Sequence, residues 1–257
     1  MTEERHFNLI SAADSHVGQV RKLNEDSFLQ DPANGLWAVA DGVGGHSAGD
    51  YASQLVVRLL GQVGPRRSAS AMLAAVREQI ETSNRNLLAF AANEGIGIAA
   101  STVVALLCHG EHFACVWVGD SRIYRLRDGL IEQLTRDHSE VQELVDAGVL
   151  SAEDAKHHPR GNVVTRAVGA EEEVKPDIVA DLLVPGDIFL LCSDGVSKVL
   201  DDDEIGALLR PGAPEDSIAG LIEAVLTRGA PDNTTAVVVE CLGAEPPGED
   251  STCALPD

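Results

Sequence analysis

The sequence predicts an α+β fold in which antiparallel sheet is covered by layers of helix. Two observations predict it: short apolar runs joined by links of hairpin length, and helical patterns that arrive in twos instead of alternating strictly with strands. A third bears on function: apolar runs end repeatedly in an acid beside glycine. The 257 residues, 44% of them hydrophobic, fit one large domain or two small ones.

In order along the chain, residues 7–13 read as a strand and 14–26 as a polar loop. A strand at 27–30 and another at 36–40 flank the turn cluster 31–35, so the two form a hairpin. Ala52, Leu55, Val56, Leu59, Leu60 and Val63 recur at i, i+3, i+4, i+7, i+8 and i+11, one face of a helix that Gly64-Pro65 stops. Leu73, Val76, Ile80, Leu87 and Phe90 mark a second, longer helix. Strands follow at 102–107 and 112–118, then at 123–126 and 130–134 across Arg127-Asp128-Gly129, where Asp-Gly is a strong hairpin turn. Residues 137–176 lose the pattern and read as an irregular insertion over the sheet. A strand at 187–192, helices at 204–209 and 214–227, and a last strand at 234–241 complete the domain, expected to span 1–243. Residues 244–257 carry Pro, Gly and acids without periodicity, and a disordered tail is expected there.

Composition excludes several function classes. With 41 acids against 19 bases the formal charge is −22, opposite to what a phosphate backbone or an anionic membrane attracts, so no nucleic-acid or membrane partner is expected. No apolar run reaches the ~18 residues of a membrane span, and MTEERHFNLI has no signal-peptide core, which points to the cytoplasm. Cys108, Cys115, Cys192, Cys241 and Cys253 form no CxxC pair. The first four lie in or beside apolar runs and are expected as buried free thiols.

An acid-rich chain that gathers carboxylates at strand ends suits divalent cations, which reverse the local charge. Residues 36–40 run into Asp41-Gly42, 188–192 into Ser193-Asp194-Gly195, 114–118 into Gly119-Asp120-Ser121, and Asp232-Asn233 precedes the last strand. The first of these pairs also reads as a simple turn that breaks its strand. Mg²⁺ and similar hard ions take carboxylate, carbonyl and water oxygens. Asp41, Asp194 and Asp232 are the candidate ligands, with Asp120 a further one, and a pair of such ions activates water toward phosphorus. Arg21 is either a surface residue bridging to Glu25 or a bidentate partner for phosphate oxygens.

In order, Asp14-x3-Gly18-x2-Arg21-x2-Asn24-Glu25-Asp26, Val39-Ala40-Asp41-Gly42-Val43-Gly44-Gly45-His46, Gly119-Asp120-Ser121-Arg122-x-Tyr124, Asn162-x2-Thr165-Arg166-Ala167-x-Gly169, Leu190-Leu191-Cys192-Ser193-Asp194-Gly195 and Asp232-Asn233-x2-Ala236 resemble the motifs of the PPM, or PP2C-type, metal-dependent protein Ser/Thr phosphatases, above all the compact bacterial ones. The resemblance implies a four-layer α-β-β-α sandwich with two central antiparallel sheets. It implies two Mn²⁺ or Mg²⁺ ions bridged by Asp41, with the Gly42 carbonyl on one of them and Asp194 and Asp232 on the other. Asp120 with Asp194 would form a weaker third metal site. Glu25 and Asp26 would orient metal waters, Arg21 would bind phosphate, and residues 137–176 would be a flap beside the site. Many eukaryotic relatives carry His directly after Asp-Gly; here that position is Val43, and His46 is the candidate general acid, with water the alternative. The implied substrates are phosphoproteins of a bacterial Ser/Thr kinase pathway, and the implied state is a monomer.

Other readings are weaker. His138, His157 and His158 lack zinc-ligand spacing and a companion cysteine. Cys192 has no cationic neighbour to make a thiolate, and Ser193 has no G-x-S-x-G elbow. A PPM-like binding module without turnover, and a metal-dependent nuclease, are the rival functions. The module is disfavoured because every acid and the Arg of the pattern is present, the nuclease because of the charge.

Overall fold

A computed structural model describes residues 7–44, 48–155 and 158–244. His46, His157, Cys253 and all but the first residue of the expected tail lie outside the described residues. In chain order the strands are β1 (Phe7–His16), β2 (Asp26–Asp31), β3 (Leu36–Gly44), β4 (Ala99–Ser101), β5 (Val103–His109), β6 (His112–Val118), β7 (Arg122–Arg127), β8 (Leu130–Gln133), β9 (Asp177–Leu182), β10 (Ile188–Cys192) and β11 (Thr234–Ala244). The helices are α1 (Ala48–Leu60), α2 (Ala69–Glu94), α3 (Glu140–Asp146), α4 (Ala152–Ala155), α5 (Asp194–Ser197), α6 (Asp202–Leu208) and α7 (Pro214–Thr227).

The strands form two sheets, ordered β1-β11-β10-β7-β8 and β2-β3-β5-β6-β9, with β4 added on β3. Every pairing is antiparallel. Period-2 side-chain alternation sorts the apolar residues into three layers. Along β3, Leu36, Ala38 and Ala40 pack with α1 and α2, while Trp37 and Val39 enter the space between the sheets. Along β10, Ile188, Leu190 and Cys192 pack with α6 and α7, and Phe189 and Leu191 face inward. Because both faces are covered, these strands read as unbroken apolar runs. Phe113 meets Phe189 edge-on across the sheets at 4.8 Å, and the Trp37 indole N–H donates to Ser11 Oγ at 3.0 Å. The four-layer sandwich expected above is the observed architecture.

The hairpin at Asp128-Gly129 has φ of 52° and 77° at its two central residues, the left-handed pair that a two-residue turn of this twist requires. Three elements differ from expectation. Asp41-Gly42 does not break its strand: β3 continues to Gly44 because Gly42 to Gly44 pair with β4, a strand hidden in the link after α2. β9, an edge strand on β6, also escaped the reading, its burial too partial to show as an apolar run. After Ser193 the chain turns at once into α5, with Ser193 as its N-cap residue.

Candidate active site

The alternation that fills the inter-sheet layer also sets its open end. Asp41 follows Trp37 and Val39 on the same face of β3, and Asp26 stands opposite it in register on β2. Ser15 and Thr235, two residues beyond Ala13 and Val237, close the facing sheet, with their hydroxyls 2.7 Å apart. Ser193 Oγ donates to Asp26 Oδ2 at 2.7 Å and accepts from Thr235 N at 3.1 Å, so Asp26 is tied across the gap. The Asp41 peptide is held as firmly: its N–H donates to Thr102 Oγ1 at 3.0 Å, and its carbonyl accepts from Thr102 N at 2.8 Å and Ser101 Oγ at 3.0 Å.

Two glycines allow the close approaches. A Cβ on Gly42 would lie 2.0 Å from the Gly49 carbonyl oxygen at the start of α1, a contact no side chain tolerates. Gly18, at φ 82°, lies where a Cβ would be 2.3 Å from the Asp232 carbonyl oxygen; it lets the loop at 17–25 fold onto the turn before β11. Asn233 clamps that loop: Glu25 N donates to its Oδ1 at 2.8 Å, and its Nδ2 donates to the Val17 and Leu23 carbonyls at 2.9 Å. The loop presents Arg21, whose Nη2 donates to Asp232 Oδ2 at 2.7 Å.

The electrostatics are those of acids crowded together. Burial, and then the charges of Asp26, Asp194, Asp120 and Asp232, hold the Asp41 carboxyl well above the usual range. Burial pushes Asp26 up to about 7, although Ser193 and Thr235 bond to it. Asp120 is pushed up to about 6 by burial and by Asp194, with Lys198 acting against the shift. Glu25 is raised by burial in spite of Arg21. Residues from five separate stretches of the chain thus act on one another at one end of the sandwich.

Lys198 is a charged participant that sequence reasoning missed. Its Nζ pairs with Asp194 Oδ2 one helical turn away and lies 3.6 Å from Asp120 Oδ2. The i, i+4 spacing was its signal, legible only once α5 is recognised as helix. Among the described residues no three Asp, Glu, His or Cys side chains already stand as a ligand set about one point; Asp194 is drawn onto Lys198 and Asp232 onto Arg21. The donor set nevertheless fits hard divalent ions. Every candidate donor is oxygen, the carboxylates repel one another when ionised, and Asp26 Oδ1 is buried without a hydrogen-bond partner.

The remaining candidates are accounted for. His138 Nδ1 accepts from Gly119 N at 3.0 Å and its Nε2 lies 3.1 Å from Asp177 Oδ2, so this ring fixes the residue before Asp120. Burial, opposed by Asp177, lowers its pKa. Cys192 is fully buried and burial pushes its thiol up to about 12, which removes it as a nucleophile. Cys108, Cys115 and Cys241 are likewise free and buried.

Comparison with known proteins places the chain in a family. The sequence profile described as Protein phosphatase 2C matches residues 14–226. The chain is 36% identical over 206 residues to serine/threonine phosphatase stp of Listeria welshimeri, covering 75% of this chain and 80% of that protein. Among solved structures, PppA, a key regulatory component of T6SS in Pseudomonas aeruginosa, superimposes with a TM-score of 0.86 at 45% identity, over 92% of this chain and 99% of that one. The catalytic domain of serine threonine protein phosphatase PstP, in complex with two manganese ions, gives 0.82 at 37% identity, over 92% and 99% of the two chains.

Proposed function

The chain belongs to the protein phosphatase 2C family, and from that premise we propose that it removes phosphate from phosphoserine and phosphothreonine in proteins by metal-dependent hydrolysis. The observation that carries the reading is the meeting of Asp41, Asp194, Asp232, Asp26 and Asp120 at one open end of the inter-sheet layer, where the other four raise the Asp41 carboxyl. Asp41, the Gly42 carbonyl, Asp194 and Asp232 are the groups that would hold two Mn²⁺ or Mg²⁺ ions. Such ions, when bound, activate a water and neutralise charge on the phosphoryl oxygens.

The chain's own residues do the rest. Arg21, exposed at the rim, binds the substrate phosphate, releasing Asp232 to the metal site; its guanidinium keeps its charge throughout the working pH range. Asp26 Oδ1, buried without a partner, accepts a hydrogen bond from water in the site, and Glu25, whose carboxylate is held by the Gly49 backbone N–H at the start of α1, does the same. The proton for the departing Ser or Thr oxygen comes from His46 or from water. Hydrolysis is direct, since Cys192 is core and Ser193 is engaged with Asp26. Asp120 is set apart, because Lys198 stands between it and Asp194.

The same reading makes residues 1–243 one catalytic domain and 137–176 a flap contributing to substrate choice. α3, α4 and the bridge of Ser139 to Val164 lie in that insertion, which Asn84 of α2 holds by accepting from Gly169 N at 2.6 Å. It also takes the chain as a cytoplasmic bacterial monomer opposing a Ser/Thr kinase, and four buried free thiols suit a reducing compartment. Among the described residues no helix is long and apolar enough to cross a membrane. The test is release of phosphate from a phosphothreonine peptide with Mn²⁺, with and without chelator, and with Asp194→Asn as the control. Chelator-sensitive release that the variant lacks is expected; release insensitive to chelator, or retained by the variant, overturns the assignment.

A further inference from the structure

Cations on the elements around the site, Arg21 and Lys198 apart, are committed to acids outside the cluster. Arg122 donates from Nε and Nη2 to Asp137 and from Nη1 to Tyr124, and Arg166 pairs with Asp177. Lys198 alone among the described residues pairs with two acids of the cluster, Asp194 and Asp120. Its place is fixed by backbone as well as charge: Lys198 N donates to the Asp194 carbonyl at 2.9 Å, closing the turn of α5 that begins at the Ser193 cap. Asp120 is 5% exposed, and a carboxylate that buried is found paired with a cation or coordinated to a metal; here the partner is Lys198.

We infer that the Lys198 ammonium is the resident cation between Asp120 and Asp194, standing where a third divalent ion would otherwise bind, so that this chain takes two ions and not three. The inference rests on the two-ion reading given above and refines it. The two carboxylates that would hold a third ion are the pair that the ammonium already bridges. A divalent ion there would have to expel Lys198 from the contact or share the space with its charge. Asp194 remains able to serve the two-ion centre, because Lys198 engages its Oδ2 and a carboxylate has a second oxygen to offer. In function, the ammonium supplies fixed positive charge beside the site at any Mn²⁺ concentration, where a weakly held ion would supply it only at high concentration.

The test is Mn²⁺ binding to the full chain, by calorimetric titration and equilibrium dialysis, in wild type, Lys198→Met, Lys198→Arg and the double variant Lys198→Met with Asp120→Asn. Two ions are expected in wild type and in Lys198→Arg. Lys198→Met should take up a third, weaker ion, and the double variant should lose it. A thermal melt on each variant establishes that it is folded. Three ions in wild type, or only two in folded Lys198→Met, overturn the inference while leaving the two-ion reading in place. No bound Mn²⁺ in any form overturns both.

Discussion

Asn233→Ala tests whether the loop carrying Arg21 owes its position to one buried amide. Asn233 is 6% exposed and makes three bonds into that loop, at 2.8, 2.9 and 2.9 Å. Each bond contributes about 1 kcal/mol net, and a buried group left without a partner costs about 1–3 kcal/mol. Because Leu23 and its neighbours are partly open to water, which relieves some of those groups, we take about 2–4 kcal/mol for the sum. For a chain of this size that is a fall in Tm of roughly 5–15 °C. The same loop carries Arg21 and Glu25, and a displacement of about 1 Å at a positioning group costs about 10²-fold in rate. Thermal unfolding with and without Mn²⁺, paired with kcat/KM on a phosphothreonine peptide, measures both effects. Asn233→Asp keeps the acceptor for Glu25 N but sets a carboxylate against the Val17 and Leu23 carbonyls, so it should lose at least as much stability. A Tm within about 2 °C of wild type together with unchanged kcat/KM would refute the clamp.

Arg21→Ala should lower kcat/KM by about 10–10²-fold, the equivalent of the ~1.5–3 kcal/mol carried by a hydrogen bond to a charged group, while Mn²⁺ stoichiometry stays as in wild type; a loss of bound metal would mean that Arg21 is structural. The metal-free protein should lose stability as pH rises. Asp26 at about 7 and Asp120 at about 6 lie above the usual carboxylate value of about 4, so the folded state holds these protons more tightly than the unfolded one. The destabilisation therefore grows from about pH 4 and is complete once the folded groups have ionised, above about pH 7. Mn²⁺ favours the ionised forms, so the Tm difference between metal-loaded and chelated protein should widen across that window. A difference that stays constant or narrows there would contradict the crowding of acids described above.

Most of the architecture was legible because it is written locally. Hairpin links at 31–35, 108–111 and 127–129 fix neighbouring strands, and the i, i+3, i+4 spacing of α1 survives any tertiary context. What escaped depends on distant partners. Asp41-Gly42 looks like a turn until β4, about sixty residues on, pairs with it, and a two-faced signal such as Asp-Gly carries no mark of that pairing. The acids of the site were legible as strand ends, because a charge at the end of an apolar run is visible in one dimension. The roles of their helpers were not: Asn233, Thr102, Ser193 and Lys198 act through bonds to residues far along the chain, or through a helix too short to leave a periodic trace.

The position of the acids then follows from the same rule that builds the core. On β3 the alternation sends Trp37 and Val39 between the sheets, and one step further it sends Asp41 there. At that point the layer is no longer roofed by apolar residues from the facing sheet but by Ser15, Thr235 and Ser193. An acid two residues earlier, at Val39, would be buried in the apolar layer with Phe189, Leu191 and Trp37, and folding would not tolerate its charge. Two residues later, on Val43, it would face solvent, since Val43 is 42% exposed, and nothing would raise its affinity for a cation. The hydroxyl-lined mouth of the sandwich is therefore the depth along β3 where a carboxylate is withdrawn from bulk water and yet has polar partners around it.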